Sequence, residues 1–407
     1  MSSMAPHNDE RLLVVGAGPI GLTAALALRA KGFAVTVLES EPEDRARPGS
    51  RAIFLHRETL EHLETMLQGM GWEIAANGLV WSTKRTFWGE KQVYERTYPA
   101  QDPSILPHST NLTQTATEGL LFDACKRVGV EFAWSHRDES VVTSPTGVEV
   151  TTDDGTVLST PYLIAADGAR SDVRRALGIT MEGDRSDNAF VIVDVAEDDA
   201  NPLRPERIYY YEHPAVEKRN VLLVPFAGGW RCDLQCRLND DPTQFDSKEG
   251  VKRWIARVLP ERYADRVTWV STYQFLQVVA ETFVDEHRRV LLTGEAAHLF
   301  APFGARGMNS GVPDAAVAAA AIRAATDDPS HRRETVDEFN ATRREAALYN
   351  RDAAGLALAH MQARDLRIRI KRRTAAFLAS VGNRSGAWLD SAPYGPRSRA
   401  KTDRGTY

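Results

Sequence analysis

Two glycine-rich stretches hold the residues from which chemistry can be built. The first is Gly16-Ala17-Gly18-Pro19-Ile20-Gly21. Its first glycine allows a tight turn, its second lets a pyrophosphate approach the backbone, and its third lets a helix pack on a strand. A phosphate held there meets bare amide hydrogens and the positive end of the helix dipole. Downstream, Glu39 and Ser40 close the unit, and the Glu39 carboxylate can accept both hydroxyls of an adenosine ribose. The second stretch, GEAAHLFAPFGARGMNSG at 294–311, combines four glycines with Pro302, Glu295, His298 and Arg306. Side chains are absent at Gly304, Gly307 and Gly311, as a backbone needs when it lies close against a flat group.

The surrounding elements must position these residues. Leu12–Val15 is a continuous apolar run, as in a parallel strand buried on both faces. Ile20–Lys31 is rich in Ala and Leu, with Gly32 placed to end the helix, and Phe33–Glu39 is a second strand. Strand, helix and parallel strand make a βαβ unit. Helices are predicted over Arg57–Leu67 and after NLTQTATEGLL, and Asp154-Gly155 between alternating segments signals a hairpin. A further apolar strand, Tyr162–Ala165, leads to Asp167-Gly168. From Ala189 to Phe283 short strands predominate, interrupted by a helix near Lys248–Val258, which predicts a mostly antiparallel sheet. Val290–Leu292 is a buried strand, an alanine-rich helix is expected over Asp314–Ala325, and Arg333–Leu378 is helical in character.

The ordered segments GAGPIG, YLIAADGARSDVRRALGI and RVLLTGEAAHLFAPFGARGMNSGVPDA resemble the GxGxxG, DG and GD motifs of the single-component FAD-dependent aromatic hydroxylases, the p-hydroxybenzoate hydroxylase-like flavoprotein monooxygenases. The resemblance runs from Arg11 to Ala325. It implies a Rossmann-type FAD-binding domain, a mostly antiparallel β-sheet substrate domain and C-terminal helices. The implied FAD contacts are Gly16, Gly18, Pro19, Ile20, Gly21, Glu39, Ser40, Arg51, Gln114, Asp167, Gly168, Gly294, Glu295, Pro302, Gly304, Gly307, Met308 and Asn309. Pro302, Gly307, Met308 and Asn309 would border the reacting centre. Arg51 also fits a surface cation, Gln114 a helix-start residue, and Asp167 a cap for the following helix. Glu295 departs from the family's usual aspartate, which accepts from a ribityl hydroxyl; the longer side chain keeps that contact only if the backbone stands farther back. Arg306 fits either charge balance on reduced flavin or a solvent-facing role, and His298 fits a satisfied structural histidine.

The implied reaction uses NADPH or NADH to reduce FAD, and a flavin C4a-hydroperoxide then delivers one oxygen atom from molecular oxygen to a phenolic or related aromatic ring. An epoxidase or a halogenase on the same fold, or a non-catalytic FAD-binding redox sensor, are the competing readings. No WxWxIP-type motif favours the halogenase. The substrate is expected between the sheet domain and the flavin edge. There Tyr209 and Tyr211 share a strand face, with Tyr210 on the other, and Arg231, Asp233 and Gln235 share another. Tyr209, Tyr211 and Arg231 are the substrate candidates.

The expected boundaries are 9–75, 110–182 and 284–330 for the FAD-binding domain, 76–109 and 183–283 for the sheet domain, and 331–407 for C-terminal helices and tail. The chain is expected to lack the thioredoxin-like domain of longer phenol-hydroxylase-type relatives. Its 407 residues are 43% hydrophobic and 26% charged with a formal net charge of −5, so no positive field points to nucleic acid. No apolar run is long enough for a transmembrane helix and the N-terminus lacks a signal-peptide core, so no membrane contact is expected. The basic run at 364–373 fits a solvated face. Three cysteines, Cys125, Cys232 and Cys236, fit packing roles in a reducing cytoplasm, and no metal-ligand spacing is present. A monomer or homodimer is expected.

Overall fold

A computed structural model describes residues 11–46, 49–380 and 382–396. The outermost parts of the expected domains, residues 9–10 and most of the C-terminal tail, lie outside the described residues.

Arg11–Val15 lies at the centre of a five-stranded parallel sheet. The order across it is Val290–Leu292, Leu163–Ala165, Arg11–Val15, Ala34–Glu39, Glu131–Trp134. Leu12 to Val15 are all buried, as the unbroken apolar run requires of a strand covered on both faces. The helix Pro19–Ala30 follows directly, with Pro19 in the first turn where no amide hydrogen is missed. Residues Ile20–Leu28 of that helix are buried, and Gly32 (φ +87°) turns the chain back into the second strand. The helix Arg306–Asp327 packs beside it. The Asp154-Gly155 turn forms as expected, joining two strands of a small three-stranded antiparallel sheet.

The second layer is an eight-stranded sheet. Its order is His298–Leu299, Val267–Ala280, Met181–Ala196, Gly229–Gln235, Arg219–Phe226, Glu206–His213, Thr83–Trp88, Lys91–Thr97. Every neighbouring pair is antiparallel except Glu206–His213 with Thr83–Trp88. Two hairpin strands from the first third of the chain thus complete a sheet built mainly from its middle. The architecture is the expected α/β fold: a Rossmann-type parallel sheet with helices, a mostly antiparallel second sheet, and C-terminal helices.

Two predictions need correction. The alanine-rich helix begins at Arg306, not Asp314, so Gly307, Met308, Asn309 and Gly311 belong to its first turns. The helical end is broken at Ala363 (φ +47°) into Arg332–Gln362 and Leu366–Leu378, and Asn383–Ser391 follows. Within the basic run most cations are exposed, but Arg372 is buried and donates to the carbonyls of His360 and Met361 at 3.1 and 3.2 Å. All three cysteines are buried, and none is in a disulfide. Among the described residues, no helix is long and apolar enough to cross a membrane.

Candidate active site

A cavity of ≈ 1900 Å³ runs from the first βα turn, past the strand ends of the parallel sheet, to the face of the eight-stranded sheet. Gly16 (φ +99°) makes the turn, and any side chain there would strike the Ala166 carbonyl at 2.5 Å. Gly18, Pro19 and Ile20 follow on the cavity wall at the start of the helix. Gly21 does not line the cavity: a Cβ there would overlap the Gly16 carbonyl oxygen, so this glycine serves helix-on-turn packing. Glu39 lines the wall at the end of the second strand, held by the Ala17 amide (2.7 Å) and the Glu41 amide (3.1 Å). Beside it, Ser40 donates to the same carboxylate at 3.3 Å.

Asp167 and Gly168 (φ +81°) stand at the middle of the cavity. The Val173 amide, in the first turn of the helix Asp172–Ala176, whose N-cap is Ser171, donates to one Asp167 oxygen at 3.1 Å. Its other oxygen, Oδ1, is buried without a hydrogen-bond partner, and burial raises this carboxyl above the usual range. Gly294 (φ +57°) turns the chain so that Glu295 projects into the cavity. Glu295 is open to the cavity itself but enclosed by protein around it; that enclosure raises its carboxyl, and the Arg51 and His298 charges offset part of the rise. Arg51 (φ +40°) lines the same wall. Gln114, the first residue of its helix, also lines it, accepting from the Ala52 amide (3.3 Å) and donating to Glu118 (2.8 Å).

The turn Pro302–Gly304 (Gly304 φ +82°) leads into the long helix, and Pro302, Gly304, Gly307 and Met308 line the cavity. Ala305, before the first turn, makes no side-chain cap, which leaves the leading amides of the helix open toward a ligand. A Cβ at Gly307 would meet no atom within 4 Å. Asn309, in contrast, does not line the cavity. Its side chain accepts from the His56 amide (3.0 Å) and Thr59 Oγ1 (2.6 Å) and donates to the carbonyls of Phe54 (2.8 Å) and Ala305 (2.7 Å). The Asn309 side chain thus fixes the helix start, whereas the contact expected of this residue is through its backbone amide. Arg306 does not face solvent; it lines the cavity, and its Nε has no hydrogen-bond partner among the described residues. It is buried and donates to Asn350 (2.5 Å) and to the carbonyls of Tyr394 and Pro396 (both 2.9 Å). His298 is buried with Nε2 at 2.6 Å from Asp314, which also accepts from Arg343 at 2.7 Å, while its Nδ1 has no hydrogen-bond partner among the described residues. Burial alone would raise Asp314, but Arg343 and His298 outweigh it and hold the carboxyl below its usual range.

On the sheet side, Tyr209 lines the cavity with its hydroxyl buried and unpartnered, and burial pushes that hydroxyl up to about 12. Tyr211 is corrected as a substrate candidate. It is fully buried away from the cavity, donating to the Leu389 carbonyl (2.6 Å), paired with His360 (2.8 Å) and stacked on Trp88. Arg231 reaches the cavity, but its guanidinium is committed to Asp194 (3.1 Å), the Ser50 hydroxyl and the Arg51 carbonyl. It positions the Arg51 loop instead of waiting for an acidic ligand. Phe190, Phe275 and Phe303 meet at ring-centroid distances of 5.1–5.7 Å and give this end an aromatic wall. Sequence reasoning missed His56, which lines the cavity near the Gly304 carbonyl (3.4 Å); burial pushes it down to about 4, so it stays neutral at physiological pH. No motif marked it, because its neighbours come from 248 residues away.

The donor set fits FAD. An extended cradle runs from the glycine turn past Glu39, the unpartnered Asp167 oxygen and Glu295 to the open amides before Met308. Such a cradle, opening onto an aromatic-walled sheet pocket, defines a flavin-dependent oxidoreductase. Residues 9–352 match the model of the FAD binding domain family, and the chain belongs to that family. The para-nitrophenol 4-monooxygenase of Pseudomonas sp. (strain WBC-3) is 29% identical to it over 83% of each chain. The 3-(3-hydroxy-phenyl)propionate/3-hydroxycinnamic acid hydroxylase of Mycolicibacterium gilvum is 27% identical over 77% of this chain; this chain spans 53% of that relative's length. The crystal structure of the p-nitrophenol 4-monooxygenase of Pseudomonas putida DLL-E4 superposes with a TM-score of 0.75 at 24% identity, covering 96% of this chain and 100% of that one, and shares the fold. FAD is the cofactor, and the protein is an FAD-dependent oxidoreductase.

Proposed function

We propose that this protein is an NAD(P)H-dependent FAD monooxygenase that hydroxylates a phenolic or related aromatic compound. The observation that carries this reading is the continuity of one cavity from the dinucleotide cradle to the aromatic wall of the sheet. The chemistry that FAD would supply when bound is acceptance of hydride from a reduced nicotinamide and activation of molecular oxygen. The protein's part is binding, orientation and electrostatics. Gly16, Gly18 and the start of the helix Pro19–Ala30 hold pyrophosphate, and Glu39 holds the ribose. The open amides at Gly307 and Met308, with the positive helix end behind them, stabilise negative charge at the near edge of the cofactor. Neutral His56 adds no competing charge there. Phe190, Phe275 and Phe303 stack around the substrate ring and exclude water, and the Tyr209 hydroxyl gives the ring a hydrogen-bonding partner.

The test is oxidation of NADPH and of NADH by the FAD-loaded protein against a panel of phenols, aminobenzoates and hydroxypyridines under ¹⁸O₂. The expected result is substrate-stimulated oxidation with a product that gains one labelled oxygen. FAD binding without stimulated turnover by any member of the panel overturns the reading and favours a redox sensor.

A further inference from the structure

The cavity face of the strand Gly229–Gln235 carries Arg231, Asp233 and Gln235 in alternation. Two of the three are committed within the protein. Arg231 holds Asp194 and the loop at Ser50 and Arg51. Gln235 accepts from the Asn220 side chain at 2.7 Å. Asp233 alone has no partner: its Oδ1 is sealed from water with no hydrogen bond, while the residue keeps partial exposure to the cavity. Its neighbours across the sheet, Ile192 and Leu222, also line the cavity and offer only hydrocarbon. Burial pushes the carboxyl up to about 7, with Arg231 opposing and Asp194 adding to the rise. An unsatisfied carboxyl in such a place destabilises the empty fold, and sites of this kind are where proteins keep groups for a ligand.

Lys84 and Arg207, which also line this end, both engage the buried Asp390. The sheet strand itself offers Asp233 as an acceptor beside a committed Arg231.

We propose that Asp233 reads the substrate, accepting a hydrogen bond from a second hydroxyl or an amino group on the aromatic ring and disfavouring rings that carry a carboxylate there. This rests on the aromatic-substrate reading above and narrows it to neutral rings with two donor substituents. A donor on the ring would meet the carboxyl on the side that the residue opens to the cavity. At a pH well above 7, where Asp233 is ionised, a carboxylate at the same place sets two acceptors against each other in a dry pocket, so the preference is expected there.

The experiment measures binding by calorimetry to the FAD-loaded protein, independently of turnover. The probes are the ortho, meta and para isomers of dihydroxybenzene, methoxyphenol and hydroxybenzoate. In at least one isomer series the diol is expected to bind about tenfold or more tighter than the ether and the acid, as for a hydrogen bond to a charged group. Asp233→Asn, isosteric and checked for unchanged FAD content, is expected to shrink that preference to within about threefold. Asp233→Leu is expected to abolish it. Equal discrimination in the wild type and Asp233→Asn, no diol preference in any series, or no binding of any probe overturns the inference. So does loss of FAD in Asp233→Asn with ligand discrimination intact, which would place the contact on the cofactor. Diol preference without oxygen incorporation leaves this inference standing and fails only the monooxygenase reading.

Discussion

Glu295 shows how a single methylene is accommodated. Gly294, in the left-handed region, turns the backbone, and a larger residue at 294 would press on Ile20 at 3.0 Å, so the longer acidic side chain extends into open cavity. Its carboxyl has no hydrogen bond within the described protein, and burial holds it above the usual range. It is thus placed to accept from a cofactor hydroxyl. Glu295→Ala is expected to weaken FAD retention roughly tenfold or more, as for loss of a hydrogen bond to a charged group, and Glu295→Asp much less. Equilibrium release of FAD followed by fluorescence decides it: unchanged affinity in Glu295→Ala means that the carboxylate makes no cofactor contact. At this scale the sequence exposed the residue types and, through the two-residue period of strands, that Arg231 and Asp233 share a face. It did not show which of them is already partnered, because Ser50 and Asp194 reach Arg231 from 181 and 37 residues away.

Among the elements, the first βαβ unit was legible because every local signal agrees: apolar strand, glycine turn, Pro19 in the first helical turn and Gly32 after the last. Its glycines nevertheless have different tasks. Gly18 has an ordinary extended backbone (φ −76°, ψ −179°) and lines the cavity, whereas Gly21 is packed on the Gly16 carbonyl. Gly18→Val is therefore expected to give a folded protein that is largely free of FAD. Gly21→Val is expected to lower the melting temperature of the FAD-free protein, at an overpacking cost of about 1–3 kcal/mol or more. Thermal unfolding together with flavin content of the two variants separates the tasks; similar loss of stability in both would show that they are not distinct. The helix Arg306–Asp327 starts eight residues before the expected Asp314. Gly307, Asn309, Gly311 and Pro313 all disfavour a helix by propensity. Tertiary contacts override them: Asn309 ties the first turn to Phe54, His56 and Thr59, and the bare Gly311 lets the helix approach Ile20.

Across the whole molecule, the C-terminal helices close one end of the cavity, with Ser391–Pro396 on its wall. Arg306, at the start of the long helix, holds this segment through the Tyr394 and Pro396 carbonyls. Helix start and chain end are thereby coupled at the place where cofactor and substrate are expected to meet. Arg306→Met is expected to release the segment at a cost of about 1–3 kcal/mol, seen as roughly tenfold or greater loss of hydrogen-exchange protection over residues 391–396. Unchanged protection there would mean that other contacts hold the chain end.

The cofactor class, through the family resemblance, and the two-sheet architecture were legible in the sequence. Those depend on contiguous motifs and on the periodicity of apolar residues, both local quantities. Only the tertiary structure decided which polar groups are available to a ligand. Whether Arg306, Asn309, Tyr211 or Arg231 is free depends on partners 37 to 255 residues away or on the packing of separate helices. A side chain's chemistry is written in its type, but whether that chemistry remains unclaimed is settled by what the fold brings within hydrogen-bond distance.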